Sequence, residues 1–157
     1  MSHFVKLILL VLLAGAAGFG LLRWLVVMAS PLPENLGVQN GRLAPCPDSP
    51  NCVSTRATDS RHAIEAIPFS GDTAVAREQL LTILEQNPQA SIRTAETDYI
   101  HAEFRSRLWG FIDDVEFQLD ETAGLIHFRS AARLGYGDMG VNRSRLTGIQ
   151  TQMAGRP

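Results

Sequence analysis

The sequence predicts an α+β domain, in which two helices pack on one face of an antiparallel sheet of four to five strands, behind an N-terminal membrane helix. Three observations support this fold class. Residues 1–29 are apolar and nearly free of charge. Residues 90–133 contain segments that alternate between apolar and polar side chains and are joined by short turns, as in antiparallel strands. One amphipathic segment precedes these strands and another follows them, so both helices can cover the apolar face.

The 157 residues leave room for one domain behind the N-terminal segment. We expect a transmembrane anchor or signal peptide over residues 1–29, a linker over 30–43 and an exported α+β domain over 44–157. From Pro33 onward, 12 arginines stand against 16 acidic residues, a net charge of about −4. Nucleic-acid binding needs a basic surface, so we exclude this class of partner.

The membrane segment centres on Leu7–Leu22, sixteen residues without a charge. A bilayer span needs about 20 residues, and Val5–Met28 reaches that length if Arg23 extends to the interface beside Trp24. A cleavable signal peptide is the alternative, because residues 27–29 resemble a cleavage site. We favour an uncleaved anchor, because the apolar run is longer than that of most signal peptides and Arg23 lies close to the supposed cut.

The linker and the two cysteines follow the membrane segment. Residues 30–43 are rich in proline, glycine and asparagine, which predicts an extended tether. Cys46 and Cys52 flank a Pro-Asp-Ser-Pro-Asn loop that favours tight turns. We favour a structural disulfide over a metal site or a redox pair, whose usual spacings are shorter; no metal or cofactor is expected. A disulfide indicates an oxidising compartment, which places Lys6 inside the cell and the body outside.

The first elements of the domain are a strand and a helix. A short strand is predicted over His62–Phe69. Asp72 is a plausible N-cap for a helix over Thr73–Gln86, and Asn87-Pro88 ends that helix. Its apolar side chains recur at helical spacing: Ala76, Leu80, Ile83 and Leu84.

The remaining strands follow one another closely. They are predicted over Ala90–Thr94, Thr97–Leu108, Asp113–Leu119 and Leu125–Arg133. Trp109-Gly110-Phe111 interrupts the alternation as a bulge or an aromatic-tipped turn. A last helix begins near Val141 or Asn142, with Leu146, Ile149 and Met153 as its apolar stripe.

The second face of this sheet is expected to be unusually charged. It is either a solvated face with weak cross-strand ion pairs or a surface that recognises an anion through guanidinium groups. The side chains predicted on it are His101, Glu103, Arg105, Arg107, Asp114, Glu116, His127, Arg129 and Arg133.

A glycine-rich turn, Gly135–Gly140, connects the last strand to the last helix. It matches G-x-G-x-x-G, but dinucleotide binding would also need a returning parallel strand and a later acid, and the sequence supplies neither. Amides at a helix N-terminus attract anions, whereas Arg143 and Arg145 in the first turn oppose the helix dipole. Either a bound anion or Asp138 would relieve that conflict; in the second case Asp138 caps the helix and pairs with Arg143.

Three segments in the same order resemble the domain-of-unknown-function 1499 family: Cys46–Ser54, Phe111–Phe117 and Arg129–Arg145. The resemblance covers roughly residues 43–153. It implies a bacterial or organellar domain that is exported or membrane-associated, and it implies no activity.

We therefore expect a membrane-anchored domain in the bacterial inner membrane, with its body in the periplasm. It is expected to bind an anionic small molecule, a lipid headgroup or an envelope protein without catalysis. The alternatives are a hydrolase-like enzyme with Asp114 or Glu116 as base, and a purely structural envelope module. No catalytic motif is present, so catalytic residues stay unassigned. The candidate ligand-binding residues are Asp113, Asp114, Glu116, Arg129, Ser130, Arg133, Asp138, Asn142, Arg143 and Arg145.

Overall fold

The computed structural model describes residues 2–155. Met1, Arg156 and Pro157, the outermost residues of the predicted anchor and domain, lie outside this range. The described residues form three helices, α1 (His3–Met28), α2 (Thr73–Glu85) and α3 (Val141–Ala154). The six strands are β1 (Cys52–Ser54), β2 (Ile67–Pro68), β3 (Ala90–Ala95), β4 (Tyr99–Arg105), β5 (Ile112–Asp120) and β6 (Leu125–Ala132).

All six strands belong to one antiparallel sheet, with β1, β6, β5, β4 and β3 side by side and β2 paired to the other end of β6. The α+β class and the antiparallel sheet agree with the prediction, but the sheet has six strands instead of the predicted four to five. The missed strand is β1, whose three residues are too short to display an alternating pattern. The predicted strand over 62–69 shrinks to β2, and the one over 97–108 ends at Arg105.

The hydrophobic core lies between the apolar face of the sheet and the helices α2 and α3. Phe117 and Phe128 stand at its centre, fully buried on adjacent strands. The predicted stripes of both helices are confirmed, since all seven of their side chains are buried: Ala76, Leu80, Ile83, Leu84, Leu146, Ile149 and Met153. Complete burial of a large apolar side chain contributes about 1.5–3 kcal/mol, so each of the large side chains in this layer stabilises the fold.

The second face of the sheet is covered by the linker, residues 30–43, rather than by solvent. The backbone N–H of Gly37 donates to Oε1 of Glu116 at 2.7 Å, and Nε2 of Gln118 donates to the carbonyl oxygen of Gly41 at 3.0 Å. Leu43 is buried at the end of the linker. Of the two interpretations of this face, the solvated one is therefore wrong, and the predicted extended tether is docked on the sheet. Turn-forming glycines and prolines let the linker fold down, and the buried carboxylates accept its amide.

The helix α1 has 26 residues, a mean hydropathy of 2.4 and no buried residue in its apolar stretch. It is long and apolar enough to cross a membrane, a property that signal sequences share. Its C-terminal part lies against the loop between β4 and β5, residues 106–111. Nη1 of Arg23 donates to the carbonyl oxygen of Leu108 at 2.7 Å, and the rings of Phe19 and Trp109 lie 5.6 Å apart.

Candidate functional site

Eight of the ten candidate residues are divided between the two faces of the sheet, and the other two, Asp138 and Arg143, lie at the start of α3. Successive residues of a strand point to opposite faces, so Asp113 reaches α3 whereas Asp114 lies beneath the linker. The same alternation separates Arg129 from Ser130 on β6. We call the first group the helix-side network: Asp113, Ser130, Asn142 and Arg145. We call the second group the linker-side network: Glu103, Asp114, Glu116, Arg129 and Arg133.

Arg133 is the centre of the linker-side network. It binds both oxygens of Asp114, Nε to Oδ2 at 2.8 Å and Nη2 to Oδ1 at 2.7 Å. Nη2 also donates to Oε1 of Glu103, and Nη1 donates to the carbonyl oxygen of Ser30 at 3.3 Å. Arg93 binds the second oxygen of Glu103. One guanidinium therefore connects two strands to the first residue of the linker.

Glu116 forms the second half of the linker-side network and is completely buried. Its Oε1 accepts from the hydroxyl of Tyr99 at 2.9 Å, in addition to the amide of Gly37. Its Oε2 accepts from Nη1 of Arg129 at 3.2 Å. Among the described residues, Nε of Arg129 has no hydrogen-bond partner. The carboxylate is thus held by a neighbouring strand on each side and by the linker above.

The surroundings of Asp114 and Glu103 keep both carboxylates ionised. Burial by itself raises the pKa of Asp114, but hydrogen bonds from Arg133 and His101 outweigh it and hold that pKa below its usual value. Burial also opposes ionisation of Glu103, and hydrogen bonds from Arg93 and Arg133 again lower its pKa. Both carboxylates are therefore ionised at neutral pH, and their charges are matched by neighbouring guanidinium groups.

The helix-side network fastens α3 to the sheet. Nη2 of Arg145 donates to Oδ2 of Asp113 at 2.6 Å, and its Nη1 donates to Oδ1 of Asn142 at 2.6 Å. The hydroxyl of Ser130 donates to the same oxygen of Asn142, whose Nδ2 donates to the carbonyl oxygen of Asn51 at 3.0 Å. Burial raises the pKa of Asp113 in spite of the charge on Arg145. Ser130 and Asn142 are fully buried, so this arrangement joins β5, β6, α3 and the segment before β1.

The glycine-rich turn is organised by Asp138. Its Oδ1 accepts from the backbone N–H of Gly140 at 3.0 Å, and its Oδ2 accepts from that of Asn142 at 2.8 Å. The N-cap position is Gly140, so Asp138 serves the first turn of α3 from two residues earlier, and the predicted pairing of Asp138 with Arg143 is absent. Arg143 instead donates to the carbonyl oxygens of Arg61 and Ala63, each at 2.8 Å. The φ of Gly140 is 79°, a conformation that favours glycine at this position.

All four carboxylates of the two networks are buried. Asp114 and Glu116 are 1% and 0% exposed, whereas a general base has to come within hydrogen-bond reach of its substrate. The guanidinium groups of Arg129, Arg133 and Arg145 are each paired with an internal carboxylate. Within residues 2–155, no group of three or more metal-binding side chains comes together. What the two networks do is hold the linker and α3 on opposite faces of one sheet.

Sequence reasoning missed an open cavity of about 1180 Å³ between the linker, the cysteine loop and residues 56–62. Cys46 and Cys52 form a disulfide at its edge, with their Cα atoms 5.6 Å apart. The cavity is lined by three arginines that join no ion pair among the described residues: Arg42, Arg56 and Arg61. These arginines are isolated in the sequence and carry no common motif, so only the folding of three loops against one another brings them together.

Comparisons with known proteins agree with the sequence motifs. A family model described as a protein of unknown function (DUF1499) matches residues 42–153, most of the chain. No curated protein matches the chain significantly. The matched range begins at the end of the linker and includes the disulfide, both networks and all of α3 except its last residue. The chain therefore belongs to the domain-of-unknown-function 1499 family.

Proposed function

We propose that the chain is a non-enzymatic, membrane-anchored domain of the bacterial inner membrane. Its body faces the periplasm and binds an anionic group, a phosphate or carboxylate, in the open cavity beside the disulfide. The observation that carries this proposal is the convergence of three arginines without carboxylate partners on that one cavity. The site is thus proposed away from the two networks, whose arginines are already neutralised.

The junction between α1 and the body supports an anchor that is retained. Ser30 is buried; its hydroxyl donates to the carbonyl oxygen of Val26 at 2.7 Å, and its own carbonyl oxygen accepts from Arg133. Cleavage after Ala29 would remove the first of these contacts, together with those that Phe19 and Arg23 make to the loop 106–111. A signal peptide is discarded and has no need of such fitted contacts to the mature body.

The disulfide supports the periplasmic side. Disulfides form and persist in oxidising compartments and are rare in the cytosol. Cys46 and Cys52 follow α1 in the chain and form a disulfide on the linker side of the sheet, where Cys52 is paired with Ala131. With the disulfide outside the cytoplasm, Lys6 lies on the cytoplasmic side; Lys6 and Arg23 flank opposite ends of the apolar stretch, so the charges by themselves favour neither orientation.

The charges around the cavity support an anion rather than a cation. Its acidic side chains are Asp48 and Asp59, against Arg42, Arg56 and Arg61. Asp59 is already engaged, because it accepts from Nδ1 of His62 at 3.0 Å, and this hydrogen bond lowers its pKa. The cavity therefore has an excess of positive charge, carried by planar guanidinium groups that match the oxygens of phosphate or carboxylate.

The experiment is a titration of the full-length protein, held in nanodiscs of zwitterionic lipid, with inorganic phosphate and with glycerol phosphate. The change Arg56→Gln removes one cavity arginine, and Arg105→Gln is the control, because Arg105 joins no described ion pair and lies outside the cavity. A charge-assisted hydrogen bond contributes about 1.5–3 kcal/mol, so Arg56→Gln should weaken binding at least about tenfold. Nanodiscs with anionic lipid separate the two sources of the group: competition by the lipid identifies a headgroup. Equal binding by both variants, or no binding, would refute the proposal.

A purely structural envelope module is the second candidate. It is favoured by the pairing of Arg129 and Arg133 with buried carboxylates beneath the linker. The same titration separates it from the first, since it predicts no saturable binding by a correctly folded protein. The hydrolase-like alternative receives no support, because its two candidate bases are buried.

A further inference from the structure

The exposed apolar side chains of the body are concentrated at one end of the sheet. Of the nine large apolar side chains exposed between residues 30 and 155, five belong to the loops 106–111 and 134–140 and a sixth is the first residue of α3: Leu108, Trp109, Phe111, Tyr136, Met139 and Val141. These loops are neighbours, because Arg133 N–H donates to the carbonyl oxygen of Ile112 where β6 and β5 meet. We call this end of the body the apolar end. The tight turns at the other end of the sheet, residues 96–98 and 121–124, expose no large apolar side chain.

The helix α1 leaves the body at the apolar end. Nη1 of Arg23 binds two carbonyl oxygens of the loop 106–111, those of Arg107 and Leu108. A Cβ atom placed on Gly110 would lie 3.4 Å from the side chain of Arg23 and 3.5 Å from that of Val27. The loop therefore lies along the helix and is not a separate projection from the body.

The position of Trp109 along α1 gives its depth. Its ring lies 5.6 Å from the ring of Phe19, four residues before Arg23 and thus about 6 Å nearer the bilayer centre. In a helix whose uncharged stretch ends at Leu22, Arg23 marks the boundary between acyl chains and headgroups. Trp109 then lies at the top of the acyl chains, where tryptophan is enriched.

Met139 gives independent support from the neighbouring loop. Its side chain is 102% exposed, and its φ is 55°. A residue other than glycine in the left-handed region is uncommon, and such a conformation costs of order 1–3 kcal/mol. This strained backbone turns the apolar side chain of Met139 fully outward. Such an arrangement is expected where an apolar surface outside the chain, such as lipid, receives the side chain. Tyr136, 75% exposed in the same loop, has an apolar ring and a polar hydroxyl, which suits the membrane interface.

We propose that the apolar end lies on the outer surface of the membrane that α1 crosses, with Leu108, Trp109 and Phe111 inserted among the lipid chains. This inference rests on the proposed membrane anchor and goes beyond it. The partner is the lipid bilayer itself, because the apolar end continues directly from the helix that spans it. Exposed Arg107 adds a positive charge at the level of the headgroups, which attracts anionic lipid. The body is thus fixed in orientation, with the turn at 121–124 roughly 30 Å above the bilayer, the length of β5.

The test measures the quenching of tryptophan fluorescence by lipids that carry bromine near the top of the acyl chains. The full chain is placed in vesicles of these lipids. It has two tryptophans, so Trp24→Phe leaves Trp109 as the reporter of the apolar end, and Trp109→Phe leaves Trp24 as the reporter of the anchor. A third variant combines both changes with Thr122→Trp, which places its single tryptophan at the opposite end of the sheet.

Trp109 should lose as much fluorescence as Trp24, and the single tryptophan of the third variant should lose none. If Trp24 is quenched and Trp109 is not, the anchor stands and the inserted apolar end is wrong. If neither is quenched, the membrane anchor itself is refuted. If Trp109 escapes quenching in densely loaded vesicles and is quenched only after the protein is diluted in excess lipid, a second copy of the chain, rather than lipid, is the partner and the inference is overturned.

Discussion

Replacement of Arg133 by methionine tests how the linker is held on the sheet. The side chain of Arg133 is 6% exposed, and it neutralises Asp114, which is 1% exposed. Loss of one partner of a buried ion pair costs about 3–5 kcal/mol. The lower part of this range applies, because Asp114 keeps its contact with His101 and Glu103 keeps Arg93. We therefore expect Arg133→Met to lower the free energy of unfolding by about 3 kcal/mol, a large part of the roughly 5–15 kcal/mol of an ordinary domain.

The assay is urea unfolding of the full-length protein in nanodiscs, followed by near-ultraviolet circular dichroism. The matched control is Arg93→Met, which removes the other arginine of Glu103 from a half-exposed position. A solvent-exposed pair contributes at most about 1 kcal/mol, so this control should unfold nearly as the unchanged protein does. If the two variants lose equal stability, or if Arg133→Met loses less than about 1 kcal/mol, the linker-side network does not hold the fold and the reasoning fails.

Three further predictions concern other parts of the molecule. Asn142→Ala should lower the free energy of unfolding by about 2–4 kcal/mol in the same assay, because several buried partners lose a hydrogen bond; a loss below about 1 kcal/mol would show that α3 is held by apolar packing alone. Stability should fall as the pH drops below about 4, because the lowered pKa values of Asp114 and Glu103 stabilise the fold only while both are ionised. Unfolding curves across this range should show a shallower fall for Asp114→Asn, and a parallel fall would contradict that origin. Cys52→Ser opens a short loop and should lower the free energy of unfolding by about 2 kcal/mol. If neither this change nor reduction of the unchanged protein alters the free energy of unfolding, the disulfide does not stabilise the fold.

Much of the fold could be predicted because its long elements carry strong periodic patterns. The alternation of apolar residues around Phe117 and Phe128 predicts which face of the sheet is buried. The apolar stripes of α2 and α3 likewise predict which face of each helix is buried. Two features could not be predicted in this way. The three residues of β1 are too few to show a period, and the linker 30–43 has turn-forming residues whose docking depends on carboxylates that lie far away in the sequence.

The candidate site shows what residue types alone do not reveal. Arginines and acids close together in the sequence indicate either a ligand site or an internal network of ion pairs. Which of these forms depends on whether other segments of the chain cover the charged side chains. Asp113 and Asp114 illustrate this, because adjacent positions in β5 send them to opposite faces of the sheet. In contrast, Arg42 and Arg56 occupy loops with no periodic pattern, so their meeting at one cavity follows from the tertiary fold alone.

The intact mass of the protein, extracted from bacterial membranes without reducing agent, tests the central claim most directly. An anchored domain with an exported body predicts a chain that still contains the residues before Ser30 and is lighter by two hydrogens than the reduced chain, because Cys46 and Cys52 are joined. A mass that corresponds to a chain beginning at Ser30 would contradict the anchor. A full-length mass with both thiols intact would contradict the periplasmic position of the body.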